Sequence, residues 1–92
     1  MYAVFVEVNA DESQTANARE GLAQNVVPLA QAAGAKAGYW LAPRGDRGVA
    51  VVVFESEEQA RKMAAQARPG ENAGAPGVTF RNIEVSEVLA SL

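Results

Sequence analysis

The chain has 92 residues, carries a formal net charge of −3, and contains neither cysteine nor histidine. That length suits a single domain spanning 1–92. The missing residue types exclude disulfides, thiolate metal centres and any histidine-based nucleophile site. Without a basic run, nucleic acid and anionic membrane are not expected partners.

Tyr2 to Val8 alternates, with Tyr2, Val4, Val6 and Val8 on one face and Ala3, Phe5 and Glu7 on the other, which predicts a strand. Asp11 and Gln14 have capping-box spacing, so a helix is expected to start near Glu12. Its apolar stripe is Ala18, Leu22, Val26, Leu29 and Ala33, and Gly34 supplies the stop. Pro28 lies inside that helix and removes the bond to the Gln24 carbonyl, so a kink is expected over Gln24 to Val27.

Ala35 to Leu41 is a second predicted strand, with Tyr39 and Trp40 on opposite faces. The polar turn from Pro43 to Gly48 leads into the third. Arg44-Gly45-Asp46 within it reproduces an adhesion tripeptide but reads as a solvated hairpin turn. In the third strand Val49, Val51 and Val53 oppose Ala50, Val52 and Phe54, so both faces are apolar and the strand belongs in the middle of a sheet. Ser56 and Gln59 form a capping-box pattern for a helix over Glu57 to Arg68, whose buried side is Ala60, Met63, Ala64 and Ala67. The alanines let that helix lie close to the sheet. A Gly- and Pro-rich loop from Arg68 to Gly77 precedes a last strand from Val78 to about Leu89, with a bulge expected at Asn82 to Glu84.

The order strand, helix, strand, strand, helix, strand is the ferredoxin-like split βαββαβ arrangement, an α+β fold with a four-stranded antiparallel sheet. Right-handed crossovers place both helices on one face and the first and third strands at the centre. The other sheet face is then bare and apolar, which predicts a homodimer formed sheet to sheet, against the alternative of a monomer whose C-terminal segment folds back over its own sheet. The C-terminal Val85, Val88, Leu89 and Leu92 are expected to pack on the partner or on the first strand.

Two junctions carry a family resemblance. Val51 to Ala60, VVVFESEEQA, is similar to the strand-to-helix passage of the antibiotic-biosynthesis-monooxygenase-like group of the dimeric α+β barrel superfamily. Val27-Pro28-Leu29 with Gly34 and Gly38-Tyr39 is similar to the group's first helix and second strand. The resemblance implies a dimer with a barrel-like core and a small-molecule pocket between sheet and helices. Haem-degrading members hold iron through a histidine that this chain lacks. The remaining activity implied is that of a cofactor-independent monooxygenase-like enzyme acting on a small aromatic or polyketide-type molecule, with no metal and no cofactor.

The candidate catalytic residues are Glu7, Asn9 and Trp40; Tyr39, Trp40 and Arg81 are candidate substrate contacts. Glu7, if buried, would gain a raised pKa and act as a base, against the alternative of an edge exposure or an ion pair with Arg81. Asn9 could hold an oxyanion or orient oxygen, against a turn residue bonding local backbone. Trp40 and Tyr39 could stack a planar substrate, against simple packing. Arg81 with Asn82 could bind an anionic group, against a solvated strand face. The second functional reading is a non-catalytic dimeric module that binds a small ligand or is purely structural. With no charged n-region and apolar h-region after Met1, a cytoplasmic location is expected.

Overall fold

The computed structural model describes residues 1–92. Four strands, β1 (Tyr2–Asn9), β2 (Ala37–Trp40), β3 (Arg47–Phe54) and β4 (Thr79–Glu87), form one antiparallel sheet in the order β2-β3-β1-β4. Helices α1 (Thr15–Gly21), α2 (Val27–Ala32) and α3 (Glu57–Ala64) supply the helical layer. The chain is thus a small α+β domain compatible with the ferredoxin-like arrangement. The two most apolar strands, β1 and β3, are central, as their composition requires.

Both expected capping boxes form. Asp11 accepts from the Ser13 N–H at 2.8 Å, and the Asp11 N–H donates to Gln14 Oε1 at 2.9 Å. Ser56 accepts from the Gln59 N–H at 3.2 Å while its own N–H donates to Gln59 Oε1 at 3.3 Å. Each cap contributes on the order of 1 kcal/mol to helix initiation.

The expected kink takes the form of a π-helical segment, Leu22–Val26, which joins α1 to α2. The Val27 N–H reaches back to the Leu22 carbonyl, five residues earlier, and the wide turn makes room for the Pro28 ring. The widening also changes which residues face the sheet. A regular helix would bury Leu29 and Ala33; instead Ala30 is buried, and Leu29 is 58% exposed. The apolar stripe predicted from the sequence is corrected by one residue downstream of the π segment, the shift an extra residue in the turn produces.

Two faces of the sheet follow from strand alternation. Toward the helices point Val4, Val6 and Val8 of β1, Ala50, Val52 and Phe54 of β3, and Ile83 and Val85 of β4. Val4, Ala30, Val52, Phe54 and Ala60 form the main buried cluster, and Ala10, Ala75 and Val78 form a second, smaller one. The opposite face carries Phe5, Val49, Val51, Val53 and Tyr39, and no element of the chain covers it. A bulge is present but lies one residue before the expected Asn82 to Glu84: Glu7 stands opposite Asn82 and Val8 opposite Phe80, so Arg81 is the extra residue and Asn82 to Glu84 pair regularly. At the C-terminus, Val85 faces Val4 and the Val88 N–H donates to the Met1 carbonyl at 2.8 Å. Leu89 and Leu92 find no such place on the first strand; Leu89 is 90% exposed. No helix is long and apolar enough to cross a membrane.

Candidate functional site

A cavity of about 370 Å³ lies between the helix-side face of the sheet and the helical layer. Its walls belong to both buried clusters, Val4 and Val52 from the larger and Ala10, Ala75 and Val78 from the smaller. The two clusters do not merge because the positions between them carry small side chains: Ala18, Gly48, Ala50, Ala67, Ala73 and Gly74 all border the cavity. The alanines that let the helices approach the sheet also leave this space unfilled. A more open groove of about 280 Å³ adjoins it, with Leu22, Trp40 and Pro43 bordering both.

The π segment contributes Leu22, Asn25 and Val26 to the wall. The roof is the loop after α3. Gly21 of α1 is buried, and a Cβ placed on it would stand 2.6 Å from the Gly74 carbonyl oxygen, so only glycine lets the loop sit on the helix. The loop is fastened internally by Asn72, whose Nδ2 donates to the Ala75 carbonyl at 2.8 Å and whose Oδ1 accepts from the Gly74 N–H at 2.9 Å. Gln14 Nε2 reaches the Pro76 carbonyl at 3.4 Å, tying the loop to the start of the helical run.

No Asp, Glu, Lys or Arg borders the cavity; its polar side chains are the amides of Asn25, Gln66 and Asn72. The site suits apolar contact and hydrogen bonding and holds no side chain for proton transfer near neutral pH.

The sequence candidates divide between the two sides of the sheet. Trp40 alone faces the helices, borders the cavity, and packs against the main buried cluster. Tyr39 points to the bare face and is 67% exposed. Glu7, Asn9 and Arg81 gather at one end of that same bare face, away from Trp40. Arg81 Nε donates to Asn9 Oδ1 at 2.7 Å and its Nη2 to the Asp46 carbonyl at 3.1 Å, while Asn9 Nδ2 donates to Thr79 Oγ1 at 3.2 Å. Asn9 therefore bonds side chains across β1 and β4, where a turn residue bonding local backbone was the alternative.

Glu7 pairs with Arg47 on the neighbouring strand; the pairing with Arg81 anticipated from the sequence is replaced, because Arg81 is turned to Asn9 and Asp46. The hydrogen bond from Arg47, with further help from its charge and from Asn82, holds the Glu7 carboxyl below its ordinary value of 4.5. That is the opposite of the upward shift a buried general base would need. The residues that composition missed are Asn25, Asn72 and Gly74. Two sequence signals pointed near them, the Gly- and Pro-rich loop for Asn72 and Gly74 and the Pro28 interruption for Asn25.

No family model matches the chain, and no curated protein matches it. Among solved structures, the crystal structure of the NE2512 protein of unknown function from Nitrosomonas europaea is similar over 99% of this chain and 91% of that one, with 26% sequence identity and a TM-score of 0.60. The fold is therefore shared over nearly the full length of both chains. Fold and site define a small α+β domain with a four-stranded antiparallel sheet and an apolar helix-side cavity.

Proposed function

We propose that this chain is a cytoplasmic, homodimeric binding protein of the dimeric α+β barrel type, whose helix-side cavity takes one small, largely apolar molecule. The cavity carries the reading: a space of about 370 Å³ walled by aliphatic, aromatic and amide side chains, with no charged group, falls within the size range of small-molecule sites. The dimer is supported by the uncovered face, where Phe5, Val49, Val51 and Val53 lie side by side. Burial of such a face contributes roughly 2.5 kcal/mol per 100 Å² of apolar surface.

Native mass spectrometry of gently purified protein tests both halves. The expected spectrum is a dimer carrying a non-covalent adduct. A monomer at micromolar concentration would remove the assembly. A dimer that neither carries an adduct nor takes up added apolar compounds would remove the binding role.

A second reading, a cofactor-independent monooxygenase-like enzyme of the antibiotic-biosynthesis-monooxygenase-like group, is favoured by Trp40 on the sheet side and Asn25 on the helix side both bordering the cavity. Since Glu7 and Asn9 lie on the other side of the sheet, the substrate's own acidity would have to supply the electron-rich anion. Oxygen uptake on addition of an acidic aromatic substrate separates this from simple binding.

A further inference from the structure

Of the three amides on the cavity wall, Gln66 lies exposed beyond the end of α3 with no side-chain hydrogen bond, and Asn72 is committed to the loop through both its donor and its acceptor. Asn25 is not. Its Nδ2 lies 3.5 Å from the Gly74 carbonyl, at the outer limit of a hydrogen bond, and its Oδ1 has no partner. Asn25 sits in the π segment, is solvent-exposed, and borders the cavity, so it stands where the apolar space meets water. At protein packing density the cavity accommodates roughly 270 Å³ of ligand atoms, one compact molecule.

A charged group at the mouth gives up part of its hydration, and the cavity wall offers no counter-ion; Arg19 borders only the adjoining open groove. A hydroxyl or carbonyl finds both a donor and an acceptor in the Asn25 amide. We propose that the cavity selects an uncharged amphiphile, with its hydrocarbon body between sheet and helices and a hydroxyl or carbonyl head on Asn25. This rests on the cavity-binding reading above.

Trp40 is the only tryptophan in the chain and borders the cavity, so its fluorescence reports occupancy. Decan-1-ol, decanoate and decylammonium share one hydrocarbon body and differ in the charge of the head. At pH 7, decan-1-ol is expected to saturate the Trp40 signal with a Kd at least about 10-fold below either ion. Equal binding of all three overturns the selection for an uncharged head and leaves the cavity reading standing. Saturation by none of them overturns both.

Asn25→Asp places a carboxylate at the head position. It is expected to weaken decan-1-ol by about 3- to 10-fold and to strengthen decylammonium by about 10-fold, reversing the ranking. A folded Asn25→Asp protein with the wild-type ranking overturns the role of Asn25. Should that variant not fold, Asn25→Ala provides the same test through its loss of decan-1-ol affinity, and the three-ligand comparison on the unaltered chain stands by itself.

Discussion

The indole of Trp40 lies across Gly38, its neighbour on the same face of the same strand. A Cβ built on Gly38 would stand 2.7 Å from Trp40 Cη2 and 2.8 Å from Cζ3. Glycine at that position therefore decides where the ring rests, and the ring in turn closes one side of the cavity.

Gly38→Ala is expected to push the indole off the strand. Overpacking costs about 1–3 kcal/mol, offset by up to about 1 kcal/mol from removing a strand glycine. The signature is a red shift of tryptophan emission with a small fall in Tm. Unchanged emission would show that the ring is held by something other than its seat on Gly38.

Gly21→Ala separates intrinsic propensity from packing. Gly21 has helical dihedrals, φ −61° and ψ −40°, so propensity alone predicts stabilisation by about 1 kcal/mol. The Cβ would meet the Gly74 carbonyl oxygen at 2.6 Å, and a backbone atom cannot swing aside as a side-chain tip can. A net loss of about 1–2 kcal/mol is expected in urea unfolding. A gain would mean that the roof loop moves away freely.

Glu7→Gln should change the acid limb of the stability curve. The folded-state carboxyl is held below its ordinary 4.5, chiefly by the hydrogen bond from Arg47. The ion pair's contribution is therefore fully present above about pH 4.5 and disappears as pH falls through the lowered folded value. Thermal melts between pH 7 and pH 3 should show a shallower decline for the Gln variant. Parallel curves for the two proteins would dissociate Glu7 from acid stability.

Val51→Glu places a charge in the middle of the bare sheet face, between Phe5 and Tyr39 on the adjacent strands. On the proposed sheet-to-sheet assembly, sedimentation is expected to show a dimer for the unaltered chain and a monomer for this variant. The same variant should retain far-ultraviolet ellipticity, since Val51 lies outside the helix-side core. A dimer of unchanged strength would place the contact on another surface.

Much of the fold was legible because its signals are local. The two apolar faces of β3 and the handedness of the crossovers set β1 and β3 at the centre, both capping boxes marked helix starts, and the irregular last strand announced a bulge, though one residue away from Arg81. Edges were less legible. The sequence pattern carries the second strand over Ala35 to Leu41, but it pairs only over Ala37–Trp40, and it carries the last helix to Arg68, but the helix ends at Ala64. Lys36 and Leu41 still donate their N–H groups to β3 at 2.7 and 2.9 Å, so hydrogen bonding outlasts the regular pairing. The site was largely illegible. Opposite faces for Tyr39 and Trp40 follow from alternation, but which of them meets the helices depends on strand register. A cavity made by alanine and glycine is written in side chains that are missing, and no motif records that.

The wide turn at Leu22–Val26 bears on how the chain can change length. Such a turn equals an ordinary helix into which one residue has been inserted. Shortening it by a single codon, at Gln24 for example, would keep Gly21 and Ala30 in phase with their neighbours but close the wide turn on the Pro28 ring, so a straight rod is expected only when Pro28 is replaced as well. A one-residue deletion that would derail any other stretch of this helix can be absorbed here once Pro28 is replaced, at the rim of the cavity. A chain shortened in this way would keep its hydrophobic interior and its sheet while presenting different chemistry at the entrance.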